Sequence, residues 1–147
     1  MQELPHGTLE TPIGTVNYTL TQASHVYLYT EGSKGQAVTI RGIPYHVAFH
    51  CHLIDGAWQR KDWNEPYLSR KDCYKEASQP ARKTAAEVLA TAWTEYFVAH
   101  PTLSRQAERA KAANEVAILA EELANLEQKA RAKRAELESA RNRLAGL

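Results

Sequence analysis

The feature that most constrains how this chain can fold is a long helical pattern at its C-terminal end. Residues 104–147 contain no proline, and no glycine before Gly146, so nothing interrupts a helix there. With Val116 as an a position of a heptad repeat, apolar side chains fill the a and d positions with one charged exception, Lys133. The a and d positions, which we call the seam, are Val116, Leu119, Leu123, Leu126, Ala130, Lys133, Leu137, Ala140, Leu144 and Leu147.

A seam sustained over more than about four heptads is typical of a coiled coil, not of a helix that packs on a globular core. At 1.5 Å per residue this helix would be roughly 65 Å long, and the rest of one chain cannot cover an apolar surface of that length. The seam therefore predicts self-association as a homodimer. The predicted dimerisation residues are Val116, Leu119, Leu123, Leu126, Ala130, Leu137, Ala140 and Leu144.

The charged residues that flank the seam indicate an antiparallel pair. A parallel pair would place Glu122 against Glu127, which is a repulsive contact. An antiparallel pair with Leu119 opposite Leu144 makes each charged flanking pair attractive. These pairs are Glu122–Arg143, Lys129–Glu136 and Glu127–Arg134. Each contributes only about 0.3–0.5 kcal/mol, so charge selects the orientation while the leucines supply affinity. A coiled coil with a different protein is the alternative.

The first half of the chain has the pattern of a small antiparallel sheet. Four short segments alternate between apolar and polar residues, at 15–20, 25–30, 36–41 and 44–54. A connector at 31–35 carries two glycines, and Asp55-Gly56 is a favoured two-residue hairpin turn that would lead into a return strand at 58–63. Residues 1–13 read as an irregular lead-in. We expect four or five strands across residues 14–63, with no room for crossover helices.

Helices are predicted between about residues 70 and 100. Ser69 with Asp72 resembles a capping box, and Ser78 followed by Pro80 is a second helix start. An apolar stripe then recurs at helical spacing and ends in aromatic residues, at Ala81, Ala85, Val88, Leu89, Ala92, Trp93, Tyr96 and Phe97. We interpret this stripe as the face that covers the sheet, with a ligand platform as the alternative. The predicted fold is α+β, with a domain at 1–101 and a coiled-coil helix at 102–147.

Three histidines on one strand invite a chemical hypothesis. In the segment 45–54, His46, His50 and His52 share the face opposite the apolar one. The spacing of His50 and His52 lets two imidazoles reach one zinc ion, which would make a metal-dependent hydrolase conceivable. A further ligand would come from Asp55, Asp62 or His25. The alternatives are plain surface histidines, or a protein-binding patch formed by Tyr27, Tyr29, His46, His50 and His52.

Other kinds of catalytic chemistry lack a sequence signal. There is no glycine-rich phosphate loop and no nucleophile elbow, and the carboxylates before residue 69 have no pairing spacing. Cys51 falls on the apolar face, where a thiol is inert, and Cys51 with Cys73 cannot form a disulfide framework. No apolar run reaches the about 20 residues of a membrane span. The start of the chain has no pattern of a signal peptide, so we expect a cytoplasmic protein.

Nucleic-acid binding is a further alternative. Eighteen basic and seventeen acidic residues give a net charge of +1, so the chain as a whole is not a polycation. Two basic stretches nevertheless fall on predicted helices. They comprise residues 129–134 with Arg141 and Arg143, and Arg70, Lys71, Lys75, Arg82 and Lys83. Clustered bases on a helix face can track phosphates, although the antiparallel pair would use most of the C-terminal ones.

The central part of the chain resembles small accessory proteins that actinobacterial phages and mobile elements encode. The resemblance spans residues 38–95 and rests on three stretches: Thr39-Ile-Arg-Gly-Ile-Pro-Tyr-His-Val, Tyr67-Leu-Ser-Arg-Lys-Asp and Gln79-Pro-Ala-Arg-Lys. It implies a protein that acts by binding, for example by blocking a host defence or polymerase complex, and it supplies no catalytic residue. Together with the seam, it favours a non-catalytic protein-binding module that is presented twice by a coiled coil.

Overall fold

The computed structural model describes residues 2–31, 35–60, 66–73 and 75–147. These residues form an α+β fold, as the sequence predicts, with more strands than the four or five expected. The strands are β1 (His6–Thr11), β2 (Gly14–Gln22), β3 (His25–Tyr29), β4 (Val38–Ile40), β5 (Ile43–Ile54), β6 (Ala57–Gln59) and β7 (Tyr67–Arg70). The helices are α1 (Gln79–Ala99) and α2 (Leu103–Ala145).

The long strand β5 organises the sheet. Along one of its edges β5 pairs with β4 and then with β3, and along the other it pairs with β7 and then with β6. From β3 the sheet continues through β2 to β1, which lies at its edge. Every pairing among the described strands is antiparallel, as expected for a sheet region with no room for crossover helices.

Two tight turns fix the register of β5 with its sequence neighbours. Asp55 and Gly56, with φ of 51° and 81°, join β5 to β6, and Arg41 and Gly42, with the same two values, join β4 to β5. Positive φ at both central residues is the geometry that matches the twist of a two-residue hairpin. The Asp55-Gly56 hairpin was predicted from the sequence and is confirmed.

Strand β1 corrects the expectation that residues 1–13 are irregular. Its residues pair with β2 from His6↔Thr19 to Thr11↔Gly14, and Leu9 is buried opposite Val16. The strand carries a single large apolar residue, so its alternation is too short to recognise by periodicity. Pairing with β2 satisfies the backbone hydrogen bonds of β1 and stabilises it as a strand, although its own sequence does not show the pattern of one.

Strand β7 corrects the predicted helix start at Ser69. Residues Tyr67–Arg70 pair with β5, Leu68 is fully buried in the core, and Ser69 is itself buried. The burial of Leu68 outweighs the local capping preference, because tertiary contacts override weak local signals. Parts of two other predictions, residues 32–34 of the connector and 61–63 of the return strand, lie outside the described residues.

Helix α1 covers the apolar face of the sheet, which confirms the core interpretation of its stripe. Trp93 is fully buried, with ring centroids 5.6 Å from Trp58 and 5.2 Å from Tyr18. The helix begins after Ser78, as predicted, although the Ser78 side chain makes no capping hydrogen bond, and it ends before His100. Aromatic rings packed edge to face add to the stabilisation that burial supplies.

The first turns of α2 also belong to the core. Leu103 and Ala107 are buried in the same apolar cluster as the sheet and α1. The compact unit that contains the core therefore extends to Lys111, beyond the predicted boundary at residue 101. One unit comprises Glu3–Lys111, and the other comprises residues 1–2 and 112–147. In the described part of the chain, neither helix has the length and apolarity that crossing a membrane requires.

Candidate functional site

The side of the sheet opposite α1 presents a group of histidine and tyrosine rings. Antiparallel pairing of β3 with β5 places His25 beside His52 and Tyr27 beside His50. Tyr29 follows on β3 with the same orientation, because side chains two residues apart share a face. We call His25, Tyr27, Tyr29, His50 and His52 the histidine–tyrosine face.

The five rings lie against one another in a continuous array. His25 stacks on His52 with centroids 4.4 Å apart and on His50 at 5.1 Å. Tyr27 contacts His50 at 4.7 Å and stacks on Tyr29 at the same distance. Such spacings are those of favourable ring pairs. The array spans two strands, so the sheet holds it in place without a loop.

Polar contacts fix the orientation of the histidine rings. The Nε2 atom of His25 lies 3.0 Å from the Nδ1 atom of His50, so one imidazole donates to the other. On its far side, His25 Nδ1 lies 2.7 Å from the Thr21 hydroxyl. Rings held in this way lose little entropy when a partner binds, which favours a contact surface.

His46 does not join this group, although it shares the face of β5. Its Nδ1 atom lies 3.4 Å from the hydroxyl oxygen of Thr30, which accepts a hydrogen bond of 2.9 Å from the Val47 N–H. Its strand neighbour on β7 is the buried Ser69. His46 is therefore half-buried in a polar contact of its own, away from the stacked rings.

The zinc hypothesis gains no ligand set from the geometry. Among the residues that the structure describes, no group of three or more His, Cys, Asp or Glu side chains is arranged to hold a metal ion. Of the predicted additional ligands, His25 lies against His50 and His52, Asp55 forms the β5–β6 turn, and Asp62 lies outside the described residues. Zinc binding stays a prediction.

The seam on α2 is exposed along its length. Its six large side chains between Val116 and Leu144 are 49–72% accessible to solvent. Contiguous apolar surface on this scale is uncommon on a monomeric protein and marks a binding surface. These side chains are Val116, Leu119, Leu123, Leu126, Leu137 and Leu144.

The basic stretches are distributed over several elements. Lys133 on α2 makes an ion pair of 3.0 Å with Glu136, and Arg82 on α1 lies 3.5 Å from Glu76. Arg70 ends β7, so the second predicted stretch does not lie on a single helix. Nucleic-acid binding stays a prediction that these positions do not strengthen.

The buried thiol is unsuited to nucleophilic chemistry. Cys51 is fully buried on the apolar face of β5, and burial raises the pKa of its thiol to about 12. A thiol of this kind remains protonated at neutral pH. Cys73, by contrast, is exposed.

Comparison with known proteins supplies no further assignment. The chain matches no protein-family model, no curated protein and no solved structure. The seam and the histidine–tyrosine face are the two surfaces of the chain that point to a function.

Proposed function

We propose that this protein is a non-catalytic protein-binding module that dimerises through the α2 seam and presents its histidine–tyrosine face twice. The observation that carries the proposal is the exposure of the large seam side chains, at 49–72% in the isolated chain. An amphipathic helix of this length lowers its free energy when its apolar stripe is buried against a partner. A second copy is the proposed occupant of the seam.

The free energy gained by burying the seam side chains is large enough to support a dimer. Fully burying a Leu or Val side chain contributes roughly 1.5–3 kcal/mol. Six such side chains in each chain make twelve in a dimer, and because 49–72% of each is exposed in the isolated chain, completing their burial would supply roughly 11–22 kcal/mol. Association costs about 4–15 kcal/mol, so the balance favours a stable pair.

Charge complementarity supports the antiparallel arrangement. The half of the seam helix before Lys129 is acidic and the half after it is basic. Reversing one helix brings the two halves together and pairs Glu122 with Arg143 and Glu127 with Arg134. The same reversal removes the repulsion between Glu122 and Glu127.

The ring array supports the histidine–tyrosine face as the surface that contacts another protein. Tyrosine is enriched at protein interfaces because it combines a large apolar ring with a polar tip and few rotatable bonds. The resemblance to phage accessory proteins supports a partner in a host complex, such as a defence or polymerase assembly. Duplication of the face by dimerisation would raise the apparent affinity for a multivalent target.

A pair of serine substitutions tests the dimer. Leu119→Ser removes a seam side chain, whereas Ile118→Ser removes an adjacent exposed apolar side chain that lies off the seam. Sedimentation equilibrium should give a dimeric mass for the wild type and for Ile118→Ser, and a lower mass or weaker association for Leu119→Ser. A monomeric wild type at micromolar concentration would overturn the proposal.

A capture experiment tests the proposed contact surface. Wild-type protein, a face variant with Tyr29→Ser and His50→Ser, and the Leu119→Ser variant are compared as baits in lysate of a candidate host. A specific partner should be lost with the face variant and retained less tightly by Leu119→Ser. A partner held equally by all three baits would contradict both parts of the proposal.

A further inference from the structure

A groove opens between the edge strand β1 and helix α1. Its volume is about 550 Å³, and we call its buried and half-buried lining residues, Leu9, Val88, Ala92 and Tyr96, its floor. The exposed carboxylates of Glu87 and Glu95 lie along its helical side, with Thr91 between them. The groove is therefore apolar at the bottom and acidic at the rim.

The backbone beside the groove is available for pairing. The Leu20 N–H donates to the Pro5 carbonyl at 2.8 Å, in the same register that pairs β1 with β2. Antiparallel pairs alternate in the direction of their backbone groups, so those of His6, Thr8 and Glu10 point away from β2. Among the described strands, β1 pairs with β2 alone.

We propose that an extended basic and apolar segment of a partner protein docks here by adding a strand to the free edge of β1. In that arrangement the partner residue opposite Leu9 faces the α1 side of the sheet and enters the groove. The residues two positions before and after it share that face. They lie beside the helical rim, where the carboxylates favour lysine or arginine.

The spacing of the two rim carboxylates matches the spacing of side chains on an added strand. Glu87 and Glu95 are separated by two helical turns and a little more, about 12 Å at 1.5 Å per residue. Two strand residues on one face that flank a central residue are about 13 Å apart. A segment of the form basic–x–apolar–x–basic therefore matches the two carboxylates and the apolar floor together.

This surface is distinct from the seam and from the histidine–tyrosine face. The face lies on β3 and β5, on the side of the sheet opposite α1, whereas the groove lies between the edge strand β1 and α1. Binding in the groove can therefore be tested without disturbing the proposed dimer.

A labelled peptide tests the proposal on the full-length protein. The probe is Ser-Lys-Thr-Val-Thr-Lys-Ser-amide with fluorescein on its N-terminal amine, and binding is followed by fluorescence anisotropy. The combined substitutions Glu87→Gln and Glu95→Gln should weaken binding about three- to tenfold, as expected for two exposed ion pairs. The matched control, Glu121→Gln with Glu138→Gln, removes the same charge from exposed positions of α2 that lie off the seam and should bind like the wild type.

Backbone methylation tests the strand geometry. One alternate set of peptide amides faces β1 in a paired strand, and the other faces solvent. We therefore compare a peptide methylated on its threonine amides with one methylated on its valine and lysine amides. One of these two peptides should lose binding and the other should retain it. Equal binding of both methylated peptides, no binding of the probe, or equal weakening by the two glutamine pairs would each overturn the proposal.

Discussion

Cys51 and Cys73 differ in burial, and this difference predicts their reactivity. Cys51 is fully buried with its pKa raised to about 12, so its thiol is both shielded and protonated at pH 8. Cys73 is exposed. In the folded protein a thiol reagent should therefore modify one cysteine at pH 8, and in denaturant it should modify two.

Raising the pH tests the same assignment further. Because the pKa of Cys51 lies near 12, the thiol should still resist modification at pH 10 as long as the fold is intact. The variant Cys73→Ser should then be unreactive until it unfolds. Modification of Cys51 at the rate of a free thiol would contradict its burial.

Gly7 illustrates a residue whose role depends on a close neighbour. A Cβ atom added there would lie 2.9 Å from the Tyr18 hydroxyl oxygen and 3.0 Å from a ring carbon. Tyr18 cannot move freely, because its hydroxyl lies 2.8 Å from that of Tyr96 and its ring packs on Trp93. We expect Gly7→Ala to lower the free energy of unfolding by about 1–3 kcal/mol.

Urea denaturation measures this effect, with two comparisons. Gly146→Ala serves as the control, since its added Cβ would meet no atom closer than 3.7 Å. In a Tyr18→Phe background the cost of Gly7→Ala should be smaller, because the nearest atom has been removed. An unchanged cost in that background would mean that the Tyr18 hydroxyl is not the obstacle and that the ring carbon at 3.0 Å is.

The histidine–tyrosine face makes a prediction about metal. Because His25, His50 and His52 stack on one another, and His25 hydrogen-bonds to His50, we expect that zinc or a chelator leaves the melting temperature unchanged. The double substitution of His50 and His52 by Gln should cost about 1 kcal/mol or less, through lost ring stacking on the exposed side of the sheet.

Differential scanning fluorimetry of both proteins, with and without zinc, separates the hypotheses. A chelator that lowers the melting temperature of the wild type but not of the double variant would establish a metal site, because a ligand that binds the folded state stabilises it. Asp62, which lies outside the described residues, would then be the first additional ligand to test.

At the scale of elements, the seam predicts the orientation of paired helices. The antiparallel register places Leu119 of one chain opposite Leu144 of the other, about 37 Å from its own equivalent along the axis. In a Cys73→Ser background, Leu119→Cys mixed with Leu144→Cys should crosslink. Neither variant alone should crosslink well. Efficient Leu144→Cys self-crosslinking would indicate a parallel pair instead.

The elements also differ in how well they can be predicted from the sequence. Helix α2 and strand β5 are long, and their periods of apolar residues are unambiguous. Strands β1 and β7 have six and four residues, and each carries one large residue that is buried in the core. A strand of that kind is stabilised by its partner strand, so its own sequence carries little of the signal.

At the scale of the whole molecule, the burial of the first turns of α2 predicts where the chain can be shortened without loss of stability. Leu103 and Ala107 are buried with the sheet core, and the contact-based unit runs from Glu3 to Lys111. A fragment that ends at Lys111 should be folded and monomeric. One that ends at Pro101 should lose about 2–4 kcal/mol of stability, because it removes those two side chains.

Urea denaturation and sedimentation of the two fragments check this prediction. Equal stability would mean that Leu103 and Ala107 contribute little and that the domain ends at residue 101, as the sequence pattern suggests. A fragment ending at Lys111 that still dimerises would place the self-association surface outside the seam.

The sequence by itself determined the features that local patterns encode. The α+β class, the alternation of β5, the Asp55-Gly56 hairpin and the bounds of α1 all follow from spacing and turn residues within a few positions of one another. The heptad seam is of the same kind, because its spacing and flanking charges can be read along one helix.

Only the tertiary structure decided which distant residues meet. The register of β3 with β5 brings Tyr27 to His50 and leaves His46 apart, and the edge position of β1 beside α1 creates the acidic groove. Pairings of this kind close loops of many residues, and they are selected by the burial of the whole core. No short stretch of sequence contains that information, which is why the two surfaces on the sheet domain emerge only when the strands are assembled.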